Sequence, residues 1–172
     1  MSLPQFLALP DEAATARLGA ALGRALLEHA AAIAQCGLNL RFTGELGAGK
    51  TALVRACLRA AGVQGPVKSP TFTLLEPYKV SSLDFYHFDF YRFASPAEFA
   101  SAGFREHFGP GCITAVEWPD KAGPRLPPAD LDIELLSDGA AGRVAWIRAP
   151  SDIGQACWIS AMHHWTATAD AS

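Results

Sequence analysis

Residues 44–51 read Gly-Glu-Leu-Gly-Ala-Gly-Lys-Thr, a full match to the pattern G-x-x-x-x-G-K-[ST]. The glycines of this pattern allow positive φ angles, so that successive backbone N–H groups can close around phosphate oxygens. Lys50 adds a compact cation that can reach the β- and γ-phosphates, and the hydroxyl of Thr51 is a ligand for Mg²⁺. A chain with this motif has to fold so that a tight loop joins the end of a strand to the start of a helix.

The residues on either side of the motif supply that strand and that helix. Residues 38–43 alternate apolar and polar side chains, which is typical of a strand. Residues 51–61 carry Ala, Leu and Arg at helical spacing, and Gly62 stands where the helix can end. The sequence therefore predicts a site for a nucleoside triphosphate and Mg²⁺, in preference to a plain turn between a strand and a helix.

Three further helices are indicated by caps and by spacing. Asp11 can cap a helix with an apolar face that runs to about Ala32. A capping box at residues 95–98 starts a helix towards Phe108. Residues 153–162 show weak helical spacing, followed by a small polar tail.

Strand patterns alternate with these helices. The predicted strands lie at residues 83–91, 112–118, 130–135 and 143–148, and the last two form a hairpin. Residues 65–74 begin as a loop and end extended, and residues 119–128 form a proline-rich loop. The sequence therefore predicts a three-layer α/β P-loop fold, with a mostly parallel central sheet flanked by helices and an antiparallel hairpin at one edge.

Composition excludes several classes of protein. With 172 residues, half of them hydrophobic and 18% charged, the chain fits a single globular domain. A net charge of −3 argues against a large independent nucleic-acid surface, so a role on RNA would need partner proteins. No membrane span or signal peptide is evident, and the four cysteines form no C-x-x-C pair. We therefore expect reduced thiols and a cytoplasmic location, with no membrane contact.

Two acidic residues stand where phosphoryl transfer needs them. Glu117 ends an apolar strand, as an acid that serves a bound metal would, although a solvated acid at a strand end is the alternative. Asp89 stands among aromatic residues, and bound Mg²⁺ or its waters would give it a partner. The alternatives for Asp89 are an ion pair with Arg92 or a strand-edge position.

Hydroxyl residues at 68–73 are placed where a nucleotide-dependent switch often lies, and they could sense the γ-phosphate or hold the attacking water. An ordinary turn has the same composition. His87 is predicted to be a hydrogen-bonded core histidine, and Trp118 a core or lid residue. Arg143 could reach phosphate or ribose, or lie solvated on the hairpin.

Six segments occur in a specific order along the chain. They are Leu-Pro-Asp-Glu at 9–12, the loop at 44–51, Val-Lys-Ser-Pro-Thr-Phe-Thr-Leu at 67–74, Glu-Pro-Tyr at 76–78, Tyr-His-Phe-Asp-Phe-Tyr-Arg at 86–92 and Val-Glu-Trp-Pro at 116–119. In this order, over residues 9–148, the set resembles the bacterial TsaE (YjeE) family of P-loop ATPases. Residues 1–150 are therefore treated as a P-loop ATPase domain, and residues 151–172 as a C-terminal extension of unknown role.

The resemblance implies an ATP hydrolase that uses Mg²⁺ and acts with two partner proteins, TsaB and TsaD. Together they make N6-threonylcarbamoyladenosine (t6A) at adenosine 37 of tRNAs that read ANN codons. ATP hydrolysis would reset or drive the complex between turnovers. Contact with tRNA would be indirect, through that complex.

The resemblance also implies roles for individual residues. The expected catalytic residues are Asp89, Lys50 and Thr71, and the expected metal ligands are Thr51 and Glu117. The expected nucleotide-binding residues are Asp11, Gly44, Glu45, Leu46, Gly47, Ala48, Gly49, Lys50, Thr51, Asp89 and Arg143. Ala52 departs from the family, whose members often carry a second hydroxyl residue there.

Two other functions fit a P-loop chain of this size. A small-molecule kinase is one, although such enzymes need an arginine-rich lid and only four lysines or arginines lie between the P-loop helix and Glu117: Lys68, Lys79, Arg92 and Arg105. A binding module that uses ATP only to hold a partner is the other. No N-K-x-D motif for guanine is present, which favours ATP over GTP.

Replacing Lys50 tests the loop directly. Lys50→Ala removes the cation that faces the phosphates, so we expect Mg-ATP to lose its stabilising effect on the fold. The measurement is the shift in melting temperature with and without Mg-ATP. A shift equal to that of the unsubstituted chain would remove the claim of a phosphate-binding loop.

Overall fold

The computed structural model describes residues 5–139 and 141–169. The described residues form β1 (Gln5–Leu9), α1 (Glu12–Glu28), α2 (Ala30–Cys36), β2 (Leu38–Gly44), α3 (Lys50–Ala60), β3 (Leu75–Val80), β4 (Leu83–Asp89), α4 (Ala97–Ser101), β5 (Cys112–Glu117), β6 (Leu131–Ser137), β7 (Arg143–Arg148) and α5 (Asp152–Ala169). Short 3₁₀ turns lie at Phe104–His107, Pro119–Lys121 and Gly123–Arg125. None of the described helices is both long and apolar enough to span a bilayer.

The strands form one sheet in the order β1-β7-β6-β2-β5-β4-β3. Parallel pairing joins β6, β2, β5 and β4 in the centre. Antiparallel pairing adds β3 at one edge, and β7 followed by β1 at the other. The predicted α/β fold with a mostly parallel sheet is therefore confirmed.

Alternation along the strands gives the sheet two different faces. On one face, Phe42 and Phe85 pack in a large core with the apolar sides of α1, α2, α3 and α5. On the other face, Phe88 and Phe90 pack in a smaller core with Phe99 of α4, beside the 3₁₀ turns. Because side chains on a strand point to alternate faces, His87 and Asp89 lie on the same side as Phe85, beneath the larger helical layer.

The sequence predicted only part of what lies at the two edges of the sheet. Only one antiparallel hairpin was expected, yet antiparallel strands close both edges. Strand β1 was not predicted, because five residues of which three are exposed carry little periodic signal, and its partners on β7 are distant in sequence. Strand β3 contains Pro77, which is tolerated because β3 is an edge strand and needs ladder hydrogen bonds on one side only.

Two predicted helices are shorter than expected. The helix that begins at Asp11 ends at Glu28, and a separate helix, α2, follows His29. The capping box does form, since Glu98 Oε1 accepts hydrogen bonds from the N–H groups of residues 94 and 95. That helix nevertheless ends at Ser101, and a 3₁₀ turn follows Gly103, whose φ is +72°. The positive φ breaks the helix before Phe108.

The C-terminal extension contains helix α5, which packs against α1. His29 Nε2 lies 2.8 Å from the hydroxyl of Ser160, and His164 Nε2 lies 2.7 Å from Glu28 Oε1. Trp158 is buried and its indole N–H donates to Gln5 at 2.8 Å. The extension thus joins the same helical layer as α1, and its functional role stays unknown.

Two glycines set the distance between α1 and α3. A Cβ atom on Gly19 would lie 2.3 Å from the carbonyl oxygen of Leu53, and one on Gly23 would lie 2.2 Å from that of Cys57. Both distances are shorter than the closest approach of a carbon atom to a backbone oxygen. Glycine at these positions lets the two helices pack backbone to backbone, which holds the start of α1 beside the glycine-rich loop at residues 44–51.

Gly19→Ala tests this packing. Alanine gains about 1 kcal/mol of helix propensity, but the added methyl group overpacks the interface at a cost of about 1–3 kcal/mol. Because the clash is with backbone, we expect a lower free energy of unfolding, measured by urea denaturation. Arg24→Ala on the exposed side of α1 is the control and should change stability by less than about 0.5 kcal/mol. An unchanged or raised stability of Gly19→Ala would contradict the close packing.

Candidate functional site

Three functional candidates come together at the carboxyl edge of the parallel strands. Gly44 ends β2, Asp89 ends β4 and Glu117 ends β5. In the sheet register Asp89 is paired with Glu117, and Glu117 with Phe42 on β2. Parallel pairing therefore delivers two acids to the edge where the glycine-rich loop begins, which is where open α/β sheets bind ligands.

The loop between β2 and α3 depends on two of its glycines. Gly44 has a φ of +138°, and a Cβ atom there would lie 2.5 Å from the carbonyl oxygen of Leu135 on β6. Gly49 has a φ of +102° and immediately precedes α3, so its left-handed conformation turns the chain into the helix. Any other residue would be strained at both positions, which accounts physically for the glycines of the motif.

Lys50 is the buried cation of the loop. Its side chain is 4% exposed, and Nζ donates hydrogen bonds to the carbonyl oxygens of Gly44 at 2.7 Å and Glu45 at 2.8 Å. The same Nζ lies 4.3 Å from the ring centre of Trp118, a cation–π contact. Burial lowers the pKa of Lys50, while the charges of Glu117 and Asp89 raise it.

Glu117 is held between two donors. Glu117 is 2% exposed, and the hydroxyl of Thr51 donates to its carboxylate, 2.8 Å from Oε1 and 2.9 Å from Oε2. Nε2 of His87 lies 2.7 Å from Oε1. The solvated acid considered from the sequence is thereby excluded, because Glu117 is buried and hydrogen-bonded to the loop threonine.

Asp89 joins the candidate switch loop to the site. It is 4% exposed, Oδ2 accepts from the hydroxyl of Thr71 at 3.0 Å, and Oδ1 accepts from the N–H of Tyr91 at 2.9 Å. Arg92, the alternative partner considered for Asp89, instead lies over the ring of Phe72 at 4.2 Å. Thr71 therefore lies in the site, and the remaining hydroxyls of the loop do not contact Asp89 in the described residues.

A cavity of about 520 Å³ unites these groups. Its lining comprises Glu12, Thr15, Ala16, Leu46, Gly47, Ala48, Gly49, Lys50, Thr51, Ala52, Thr71, Asp89, Tyr91, Glu117, Trp118 and Arg143. A larger cavity of about 990 Å³ adjoins it, lined by the loop, the start of α1 and the β6–β7 hairpin. Asp11, Glu45 and Arg143 are among its lining residues.

Asp11 and Arg143 both have structural partners in these cavities. Asp11 Oδ1 caps α1 by accepting from the N–H of Ala14 at 2.7 Å. The guanidinium of Arg143 donates to the carbonyl oxygens of Ala48 and Gly47, the latter at 3.4 Å. The solvated alternative for Arg143 is therefore wrong, since this side chain bridges the hairpin to the loop. A nucleotide contact by either residue stays a prediction.

The donor set suits a magnesium ion. Thr51 and Glu117 supply oxygen atoms only, which are the ligands that Mg²⁺ prefers. Among the described residues no group of three His, Cys, Asp or Glu side chains converges to hold a metal. Phosphate oxygens and water would have to complete the shell, as is usual for Mg²⁺ in nucleotide sites.

Comparison with known proteins agrees with this architecture. A sequence model for the family described as threonylcarbamoyl adenosine biosynthesis protein TsaE matches residues 9–145. The chain belongs to the TsaE family. Its relatives include proteins named tRNA threonylcarbamoyladenosine biosynthesis protein TsaE from Haemophilus influenzae, 41% identical over 135 residues, and from Treponema pallidum, 38% identical over 128 residues. The first alignment covers 78% of this chain and 82% of the relative, and the second 73% and 87%.

A solved crystal structure has the same fold as this chain. The crystal structure of Bacillus subtilis YdiB superposes with a TM-score of 0.71, covering 95% of this chain and 97% of that one. At 22% identity this likeness establishes the fold alone. The superposition covers 95% of this chain, so it extends beyond residue 145, where the family model ends.

For some residues of the site, the sequence predicted neither their place in the cavity nor their hydrogen-bond partner. His87 was expected to be a core histidine, and it is one, but its partner is the candidate metal residue Glu117. Tyr91 and Thr15 line the cavity without having been singled out. Thr15 could have been found, because it lies one helical turn after Asp11 at the start of α1. No local pattern identifies Tyr91.

The contact between Thr71 and Asp89 yields a test of the loop. Thr71→Val keeps the side-chain shape but removes the donor to a buried carboxylate, a loss of about 1–2 kcal/mol. The N–H of Leu74 donates to Pro70 at 2.8 Å and so reports opening of the turn. We expect its hydrogen exchange to be about 5- to 30-fold faster in Thr71→Val.

Thr73→Val is the matched control in the same loop. Thr73 donates to Glu76 at 2.9 Å in an exposed pair, whose loss should have little effect. Equal exchange rates for Leu74 in both variants would show that the bond between Thr71 and Asp89 does not hold the loop.

Proposed function

We propose that this TsaE family member is a Mg-dependent ATPase required for threonylcarbamoylation of adenosine 37 in tRNAs that read ANN codons. We further propose that it acts in the cytoplasm with TsaB and TsaD. The observation that carries the ATPase proposal is the convergence of Lys50, the pair Thr51–Glu117 and the pair Thr71–Asp89 on one cavity. The tRNA role rests on the family and on the names of its relatives.

Each side chain has chemistry suited to this reaction. The Lys50 ammonium has three donors, and two are used by loop carbonyls, which leaves one for a phosphate oxygen. Thr51 and Glu117 would hold Mg²⁺, which neutralises charge on the β- and γ-phosphates when bound. The backbone amides at the start of α3 would bind the same phosphates.

Asp89 is the candidate for orienting the attacking water. Its two oxygens accept one hydrogen bond each from Thr71 and Tyr91, and an ionised carboxylate can accept more. A water held there would attack the γ-phosphorus as the bond to the β–γ bridging oxygen breaks, giving ADP and phosphate. The bond from Thr71 would keep the Asp89 carboxylate in position as the loop closes.

Slow turnover by the isolated chain follows from the cations around the cavity. Among the described lining residues, Arg143 is the only arginine, and its guanidinium is bonded to loop carbonyls. A free arginine that reaches the transferred phosphoryl group is worth about 10³–10⁵ in rate. We therefore propose that partner proteins raise the rate. Because the net charge of −3 does not favour a large tRNA-binding surface, we propose that the partners also contact the tRNA.

The decisive experiment substitutes Asp89. Asp89→Asn keeps the size of the side chain and removes its charge, so we expect ATP turnover to fall by about 10²–10⁴-fold. Binding of Mg-ATP should remain, and t6A formation with TsaB, TsaD and tRNA should fall in parallel. Asp84→Asn is the control on the same strand, because Asp84 is partly exposed and paired with Lys79.

Three results would contradict the proposal, each in a different way. Release of ADP only with a small-molecule acceptor would indicate a kinase. Undiminished t6A formation by Asp89→Asn without hydrolysis would indicate a nucleotide-gated binding module. Hydrolysis without any effect on tRNA modification would separate the ATPase from the tRNA role.

A further inference from the structure

His87 is buried in the middle of the functional machinery, yet the proposed reaction gives it no role. Its side chain is 0% exposed and lies on β4, two residues before Asp89 and on the same face of the sheet. Its register partner on β5 is Ala115, two residues before Glu117. The small side chain of Ala115 leaves room for the imidazole to reach Glu117 Oε1, 2.7 Å from Nε2.

Resting on the proposed function, we propose that His87 is a positioning residue that fixes the Glu117 carboxylate for Mg²⁺. It would not touch the cation or the nucleotide. Its effect would be on the orientation of the carboxylate, and hence on the affinity for Mg²⁺ in the presence of nucleotide.

The hydrogen-bond partners decide which ring nitrogen carries the proton. Glu117 Oε1 is an acceptor, so the N–H is placed on Nε2 and donates to it. Nδ1 of His87 is buried and has no partner among the described residues. A bare nitrogen lone pair is less costly there than an orphaned N–H would be.

That unpaired nitrogen argues against a purely structural role. A leucine or methionine would fill the same space without burying an unsatisfied polar atom, so packing alone gives no reason for histidine. What histidine adds at this position is one directed donor. The only partner of that donor in the described structure is Glu117.

The two donors to Glu117 differ in what else they do. Thr51 donates to the carboxylate, but its hydroxyl oxygen is also the candidate ligand for Mg²⁺. His87 has no second task, so it holds the carboxylate independently of the cation. Glutamate has three rotatable side-chain bonds, and a fixed donor limits the orientations of its carboxylate. Loss of such a supporting donor typically weakens metal binding about 10- to 100-fold.

The test measures the Mg²⁺ midpoint for binding of a fluorescent ADP analogue to the full chain. His87→Gln keeps an amide N–H near the position of Nε2, whereas His87→Asn is too short to reach Glu117, and His87→Leu removes the donor. We expect the midpoint to rise about 10- to 100-fold in His87→Asn and His87→Leu, and to stay within about threefold of the original in His87→Gln. Nucleotide affinity in EDTA should be unchanged in all three.

If His87→Leu does not fold, the comparison of His87→Gln with His87→Asn still tests whether the donor to Glu117 matters. A second check combines His87→Asn with Glu117→Gln, where the additional effect on the midpoint should vanish. If all three variants bind with the original midpoint, or if His87→Gln loses as much as His87→Asn, the positioning role is overturned while the ATPase proposal stands. If the unsubstituted chain binds nucleotide without any dependence on Mg²⁺, the proposed function fails and this role fails with it.

Discussion

Parallel pairing of β4, β5 and β2 is the constraint on which the site depends. The pairing gives each strand the same direction, so the last residues of three strands meet at one edge of the sheet. Glu117 and Asp89 are register partners there, and the glycine-rich loop starts one strand away. The acids come from positions 28 residues apart in sequence (117 − 89) and would have no reason to meet in any other arrangement. Slipping either strand by one residue would turn its own acid to the opposite face and separate the pair.

The two faces of the sheet differ in role: one carries an aromatic core, and the other carries the candidate site. The aromatic core around Phe88 and Phe90 lies on the side away from the helical layer and is covered by the short helix α4 and the 3₁₀ turns. The opposite face carries α1, α3 and α5, and the close approach of α1 to α3 at Gly19 brings the start of α1 to the cavity. Charged groups at this edge are accordingly paired and hydrogen-bonded, as Lys50 is with the loop carbonyls, because an unpaired buried charge would destabilise the domain.

The features predicted correctly are those set by residues close together in the sequence. The strand, loop and helix around residues 44–51 follow from side-chain periodicity and from the φ angles that only glycine adopts easily, and they were predicted correctly. The position of Glu117 at the end of a buried strand was also predicted, because an acid after an apolar run is visible in the chain, while its role as a metal ligand stays a prediction. Strand β1 was missed since its partners on β7 are more than 130 residues away, for example Ile147 opposite Gln5. The helix was predicted to continue beyond Ser101 because the spacing of apolar residues continues, although Gly103, which adopts the left-handed turn, is a stop signal of the same kind as Gly62.

The sequence by itself determined the glycine-rich loop between β2 and α3, the α/β class and the family, because each depends on the order and type of neighbouring residues. Only the tertiary structure decided which side chains act as partners. It gave Asp89 the hydroxyl of Thr71 in place of Arg92, and it put the imidazole of His87 on Glu117. The reason is physical: a hydrogen bond between side chains depends on strand register and facing, and these are fixed only when the sheet packs against its helices.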